Sequence, residues 1–324
     1  MPTDAPATGN SGTTGKPGAT AEAPGTSTST PAATDVIHDI GYRHYDGPRL
    51  GRGYARRSLF TQSLRAAYGL GRSAKSKVPP ALLFGIMCLV ALILVAVAIG
   101  TSMDELPLEY TDYAIYLQPV IFLFIAAQAP VSVSRDLRFR TVPLYFSRPV
   151  ERLDYVSAKY AAMASALFIL TATPLLILYV GALLAKLDFT DQTKGFAQAL
   201  LSVALLSVLF AGIGLAIAAL TPRRGFGVAA VIAAFTVPFG AVSALQGIAW
   251  EQDNLGAIGW FALFSPIGLI DNIQSTFLGA TPATASPEPV DPSTAAGSAA
   301  LLVALALAAG CFLFLLRRYR KAGL

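Results

Sequence analysis

Few residues of this chain have the type and spacing to do chemistry. The only histidines, His38 and His44, lie near the N-terminus, and the only cysteines, Cys88 and Cys311, sit inside long apolar runs. There is no HExxH, the spacing that sets two imidazoles on one helical face around zinc with a glutamate as base. Cysteines in such runs make no disulfide framework and read as small buried hydrophobes. The stretch GTTGKPG (Gly12–Gly18) imitates a phosphate-binding loop. However, Asn10 stands where the first glycine belongs, Pro17 stands where the Mg2+-binding Ser or Thr belongs, and no strand precedes it. Asp271 is the one acid in an apolar setting, and a lone carboxyl cannot form an aspartyl dyad. A serine nucleophile within the apolar runs has no base beside it. The sequence therefore assigns no catalytic residue, metal ligand or cofactor. What remains is a set of polar groups inside the apolar runs: Gln118, Gln128, Thr171, Thr173 and Thr236, with Pro119, Pro130, Pro174 and Pro238 near them.

The elements carrying these groups are membrane-like. Of 324 residues 54% are hydrophobic and 13% charged, with a mean hydropathy of +0.57; soluble domains carry about twice that charge. An all-α polytopic membrane protein is expected. The net charge of +5 does not indicate nucleic acid, because the basic residues flank apolar runs and form no face of their own. Residues 1–35, rich in Thr, Ala, Pro, Gly and Ser, have no apolar run fit for a signal peptide and too little to bury; a disordered cytoplasmic tail is expected.

Six stretches have the roughly 20 apolar residues a crossing needs: 81–101, 114–133, 160–185, 196–220, 227–248 and 297–316. None has a charge at its middle. Between the last two, Gly256–Gly279 is apolar but broken at Ser265-Pro266 and carries Asp271. A pair of short helices re-entering the outer leaflet is expected, with a full span as the alternative. Lys and Arg mark the cytoplasmic side. They cluster before the first stretch (Arg65, Arg72, Lys75, Lys77), between the second and third, between the fourth and fifth (Arg223, Arg224), and after the sixth (Arg317, Arg318, Arg320, Lys321). Both termini are then cytoplasmic, and a seventh crossing would put the last cluster outside. Residues 36–80 contain Tyr54–Lys77, which gathers Leu59, Phe60, Leu64, Ala67 and Tyr68 on one helical face, with arginines elsewhere. This is the pattern of an interfacial amphipathic helix meeting anionic lipid; an ordinary soluble helix is the alternative.

Arg135–Lys159 interrupts the spans with nine charged residues. At roughly 3 kcal/mol each near the bilayer centre, it belongs in the cytoplasm. The residue before proline avoids the helical region, so Val142 and Arg148 are break points. Pro143 and Pro149 suit first turns. A short helix clipped at both ends is expected, presenting Leu144, Tyr145 and Phe146 in succession, more apolar surface than one turn can hide.

The run SRDLRFRTVPLYFSRPVERLDYVSAKYAA resembles the cytoplasmic loop of ABC-2 type permeases, the membrane subunits of a class of ATP-binding-cassette exporters. Asp136, Thr141, Leu144, Ser147, Arg148, Pro149, Tyr155 and Lys159 match that pattern, while Arg140 and Ala158 stand where glycines are usual. YRHYDGPRLGR (Tyr42–Arg52) resembles the N-terminal stretch of actinobacterial permeases. The resemblance covers residues 36–324, with the permease domain at 81–324. It implies a bacterial plasma-membrane protein that hydrolyses nothing itself, and a coupling helix at 141–149. Arg138, Thr141, Pro143, Leu144, Tyr145, Phe146 and Arg148 would dock on a cytoplasmic ATPase subunit. It also implies a second permease, identical or sister, and a pathway near spans two and five, where Gln118, Gln128, Thr236 and Phe239 are candidates. For each of these the alternative is simple bonding between neighbouring helices. The absence of intramembrane charge argues against an ion-coupled carrier and suggests an amphipathic cargo. An ATPase-independent carrier and a non-transporting scaffold are the rival readings.

Overall fold

The computed structural model describes residues 47, 50–71, 73–101, 105–134, 136, 150–221, 224–283 and 289–322. The chain divides into two units, Met1–Pro48 and Arg49–Leu324; every element named below belongs to the second. The described residues are helical, with no strand among them: α1 (Arg52–Ala67), α2 (Ala74–Thr101), α3 (Tyr113–Tyr116), α4 (Gln118–Ala129), a π-helical turn (Pro130–Ser134), α5 (Arg152–Leu184), α6 (Phe189–Leu220), α7 (Arg224–Glu251), α8 (Leu255–Phe261), a 3-10 turn (Ala262–Phe264), α9 (Pro266–Leu278) and α10 (Thr294–Ala322).

Five of these helices, α2, α5, α6, α7 and α10, are long and apolar enough to cross a membrane, so the protein is membrane-embedded. Sidedness of burial orders them. Of the most apolar stretch of α6, 61% is buried, against 17% in α7 and α10, so α6 lies at the centre and the other two offer broad apolar faces outward. Close approach at the centre is made possible by glycine. A Cβ on Gly214 of α6 would stand 2.3 Å from Ile125 Cγ2 of α4, and one on Gly181 of α5 would stand 2.2 Å from Val95 Cγ2 of α2.

The expected crossing at 114–133 is not one long helix. It is α3, a break at Leu117, α4 and the π turn. Pro119 has no N–H to continue the ladder backwards, and Pro130 cannot donate to the preceding turn, so the backbone rewinds at both places. The composite nevertheless runs the length of the bundle. Together with the turn before α3 it follows α6: Tyr110, three residues ahead of α3, donates to Gln192 Oε1 (2.7 Å) near the start of α6, and Ser134 donates to the Ala218 carbonyl (2.7 Å) near its end, two points roughly 39 Å apart along α6 at 1.5 Å per residue. Phe122 of α4 stacks on Phe235 of α7 (4.9 Å), and Phe210 of α6 packs on Phe235 at 4.7 Å, joining three helices through one aromatic cluster.

Helix α1 lies along α5. Arg52 bonds Asp154 at the start of α5, and Tyr68 donates to the Ala166 carbonyl (2.7 Å) further along it. Leu59 and Ala67 are buried, and Phe60, Leu64 and Tyr68 pack against the same core. Arg56, Arg57 and Arg65 are exposed. At Gly256–Gly279 the chain forms two short helices, α8 and α9, separated at Ser265-Pro266 and closed by Gly279 in the left-handed region (φ 66°), a C-terminal stop that glycine makes without strain.

Candidate functional site

The residues expected to form the coupling helix, Arg138, Thr141, Pro143, Leu144, Tyr145, Phe146 and Arg148, lie outside the described residues; what frames them is described. Asp136 is the pivot. It accepts from the Tyr155 hydroxyl and pairs with Lys159 Nζ at 3.1 Å. Lys159 also donates to the Ser132 carbonyl (3.0 Å) and sits 5.6 Å from the Tyr155 ring centroid. Tyr155 is fully buried and packs on the equally buried Tyr319 of α10 at 4.9 Å. One node thus joins the π turn after α4, the first turns of α5 and the last of α10.

The start of α5 is itself over-determined. Glu151 and Asp154 form a reciprocal capping box, which satisfies two otherwise orphaned N–H groups. Arg52 adds its Nε to Asp154 at 2.5 Å and its Nη1 to Glu151. The Glu151 arm is exposed and contributes little; Asp154 is nearly enclosed and matters more. Beside this frame runs a groove of about 500 Å3 lined by Val150, Glu151, Arg152, Leu153, Leu316 and Arg320.

The opposite end of the bundle, where α6 begins, is acidic. Glu105, Glu109, Asp188 and Asp191 surround Lys194 in an open groove of about 460 Å3. Asp188 caps α6, accepting from the N–H groups of Thr190 and Asp191. Glu109 accepts from the Thr281 N–H (3.3 Å). Asp112 is buried, and its Oδ1 has no hydrogen-bond partner. Burial, then the charges of Glu109 and Asp271, raise its carboxyl to about 7. Asp271, also buried, is pushed up to about 6 by desolvation, against hydrogen bonds from the Ala283 N–H (3.1 Å) and Gln274 Nε2 (3.4 Å), which lower it.

Around Asp271 the broken segment carries a buried polar network. Ser202 of α6 donates to Gln274 Oε1 (2.8 Å), Asn272 donates to the Gly259 carbonyl (2.7 Å), and Gln246 of α7 donates to the Ile258 carbonyl (3.3 Å). Apart from Asp271, none of these stood out in the sequence. The signal available was the run Asp271-Asn272-Ile273-Gln274, too polar for an apolar hairpin unless its groups have partners.

The four pathway candidates do not converge. Gln118 and Gln128 are buried on α4, and the Oε1 of Gln118 has no partner. Thr236 is exposed on the outer face of α7. Phe239 lines a separate cavity of about 100 Å3 with Asp271, Gln246 and Ser265. Among the described residues no group of three His, Cys, Asp or Glu side chains is placed to hold a metal ion. No protein-family model matches the chain, and no curated protein does.

Proposed function

We propose that this chain is the permease subunit of an ABC-2 type exporter. It passes an amphipathic substrate out of the cytoplasm, driven by ATP hydrolysis on a separate subunit docked at residues 135–159. The observation that carries the reading is the Asp136–Tyr155–Lys159 node. Both flanks of the coupling segment meet in one largely buried lattice shared by three helices, so a force applied to the segment reaches α4, α5 and α10 together. A tether on flexible ends would dissipate it.

Six crossings, with 113–134 as the second, fit this reading. That composite covers about 33 Å at helical rise, close to the ~30 Å hydrocarbon core. It also returns every Lys/Arg cluster to one side, as the positive-inside rule requires, with both termini cytoplasmic in a bacterial plasma membrane. Helices α8 and α9, each too short to cross, then form a re-entrant pair in the outer leaflet. The exposed stripes of α3 and α4 (Tyr116, Pro119, Leu123) and of α7 (Thr236, Val237, Gly240) suit a second permease copy, and a polar Thr236 on such a stripe suits a pathway at that junction.

The test is co-expression with a cognate ATP-binding-cassette ATPase. The ATPase should co-purify with the wild-type chain and be lost when Leu144, Tyr145 and Phe146 are changed together to Asp. Transport in proteoliposomes with no ATPase present would refute the reading.

A further inference from the structure

Ser265 occupies the N-cap position of α9 but makes no capping bond. Serine there ordinarily accepts from an N–H of the first turn. Its hydroxyl is instead buried without a partner and lines the 100 Å3 cavity, a space far larger than the roughly 10–15 Å3 one water needs.

The walls of that cavity are chemically one-sided. Asp271 contributes a carboxylate whose two donors, Ala283 N–H and Gln274 Nε2, both reach Oδ1. Gln246 donates its Nε2 to the Ile258 carbonyl, which leaves its Oε1 as an acceptor. Ser265 offers lone pairs. Phe239 and Val242 form the apolar side, and an aromatic face attracts cations. No Lys or Arg occurs anywhere between Trp250 and Ala300. The N-terminus of α9 opposes this with about half a positive charge, less than one carboxylate supplies.

We propose that the cavity between α7 and α9 binds a primary ammonium group, with Asp271 as counter-ion, Ser265 and Gln246 as hydrogen-bond acceptors and Phe239 as the aromatic wall. An –NH3+ has three donors and no acceptor, which matches the three acceptor-bearing side chains that line one small space. A quaternary ammonium would leave Ser265 and Gln246 unmatched. A divalent cation would need more oxygen ligands than one carboxylate and two neutral groups. The ammonium comes from the head of an amphipathic cargo or from an aminophospholipid. The cargo assignment rests on the permease reading; the binding itself does not.

The test uses the full chain in phosphatidylcholine nanodiscs without any ATPase, titrated calorimetrically with n-hexylammonium, hexyltrimethylammonium and hexanol. Saturable one-site binding of hexylammonium is expected. It should weaken about ten-fold or more in Asp271→Asn, the scale of a charge-assisted bond, and several-fold in Ser265→Ala and Phe239→Leu. Hexyltrimethylammonium should bind markedly less well, and hexanol not measurably. Adding phosphatidylethanolamine separates the sources. If it competes, the lipid head group is the occupant; if it does not, a cargo amine is. Equal binding by Asp271→Asn, equal binding of hexanol, or no saturable hexylammonium binding together with no selective retention of phosphatidylethanolamine would each overturn the proposal. Should Asp271→Asn fail to fold, the Ser265 and Phe239 variants decide it. Because no ATPase is present, failure here leaves the permease reading standing, and loss of ATPase association would leave this site standing.

Discussion

Lys159 stands 3.1 Å from the Asp136 carboxylate and 3.0 Å from the Ser132 carbonyl, so one cation ties the turn that ends α4 to the residue just beyond it. Both partners are mostly enclosed, with side-chain exposures of 13% and 18%. Removing the cation alone leaves a largely desolvated carboxylate. Lys159→Ala is expected to cost about 2 kcal/mol, below the 3–5 of a fully buried pair because Tyr155 still donates to Asp136. Asp136→Asn in the Lys159→Ala background should recover part of that loss, giving a coupling energy of about 1 kcal/mol in a double-mutant cycle read from thermal unfolding. If the node transmits force, Lys159→Ala also lowers substrate-stimulated ATPase activity of the complex more than it lowers ATPase co-purification.

The α1–α5 junction separates an exposed from an enclosed ion pair within one arginine's reach. Arg52→Ala should cost little, and less than the loss of Asp154, since the guanidinium is half-exposed and screened by solvent. Asp154→Ala removes the enclosed partner and half of the capping box, and should cost about 2 kcal/mol. Hydrogen exchange at the amides of α1 and the first turn of α5 checks the order. Equal protection in the two variants would show that the cap contributes nothing beyond the ion pair.

How much of this was legible in the sequence depended on range. The break at Ser265-Pro266 and the apolar face of α1 could be read because a proline and a 3.6-residue period act locally. The prolines in spans could not be resolved the same way. Pro174 and Pro238 lie inside continuous helices, as do Pro79 and Pro80, yet Pro119 and Pro130 bound α4. A missing N–H is tolerated where neighbouring helices hold the backbone, and only tertiary packing determines where that is. The pairings that build both candidate sites, Arg52 with Asp154, Tyr110 with Gln192 and Ser202 with Gln274, join residues far apart in the chain and leave no periodic trace. Asp271 was visible as an isolated acid, but the cavity it faces with Ser265 and Gln246 exists only after α7 and α9 meet.

Glycine at 214 is there for space. Gly214→Ala puts a methyl 2.3 Å from Ile125 Cγ2, so α4 and α6 must part or Ile125 must leave its rotamer, a cost of about 1–3 kcal/mol. Gly240→Ala on the outer face of α7 meets nothing within 4 Å and should gain about 0.5–1 kcal/mol from helix propensity. Opposite shifts in unfolding temperature for two identical substitutions are the expected result, and a loss at Gly240 would place that face in a contact with another copy.

Asp112 gives the stability a pH dependence of known sign. Its carboxyl is raised to about 7 in the folded chain from an ordinary value near 4, so the folded state holds the proton more tightly. That contribution is complete below about pH 4 and is lost as pH rises through 7. Asp112→Asn should therefore flatten the fall in unfolding temperature between pH 4 and 7 and leave the variant more stable than wild type at pH 8. A steeper fall would mean that the Asp112 carboxylate is stabilised when charged.

The crossing number is decided by where Lys75 and Arg152 lie. Helix α2 alone separates them if 113–134 does not cross, which puts them on opposite sides of the membrane. If it does cross, they share a side with Arg317 and face away from Asp188 and Asp253. Single cysteines at these positions, in a chain with Cys88 and Cys311 changed to Ser, can be labelled in sealed cells with a membrane-impermeant maleimide. Labelling at 188 and 253 only, with 75, 152 and 317 reacting after permeabilisation, is the expected pattern. Labelling that splits 75 from 152 would remove 113–134 from the spans. The N-terminal flank of residues 135–149 would then be anchored to a segment that never crosses, and the Asp136–Lys159 node would have no crossing helix before it to move.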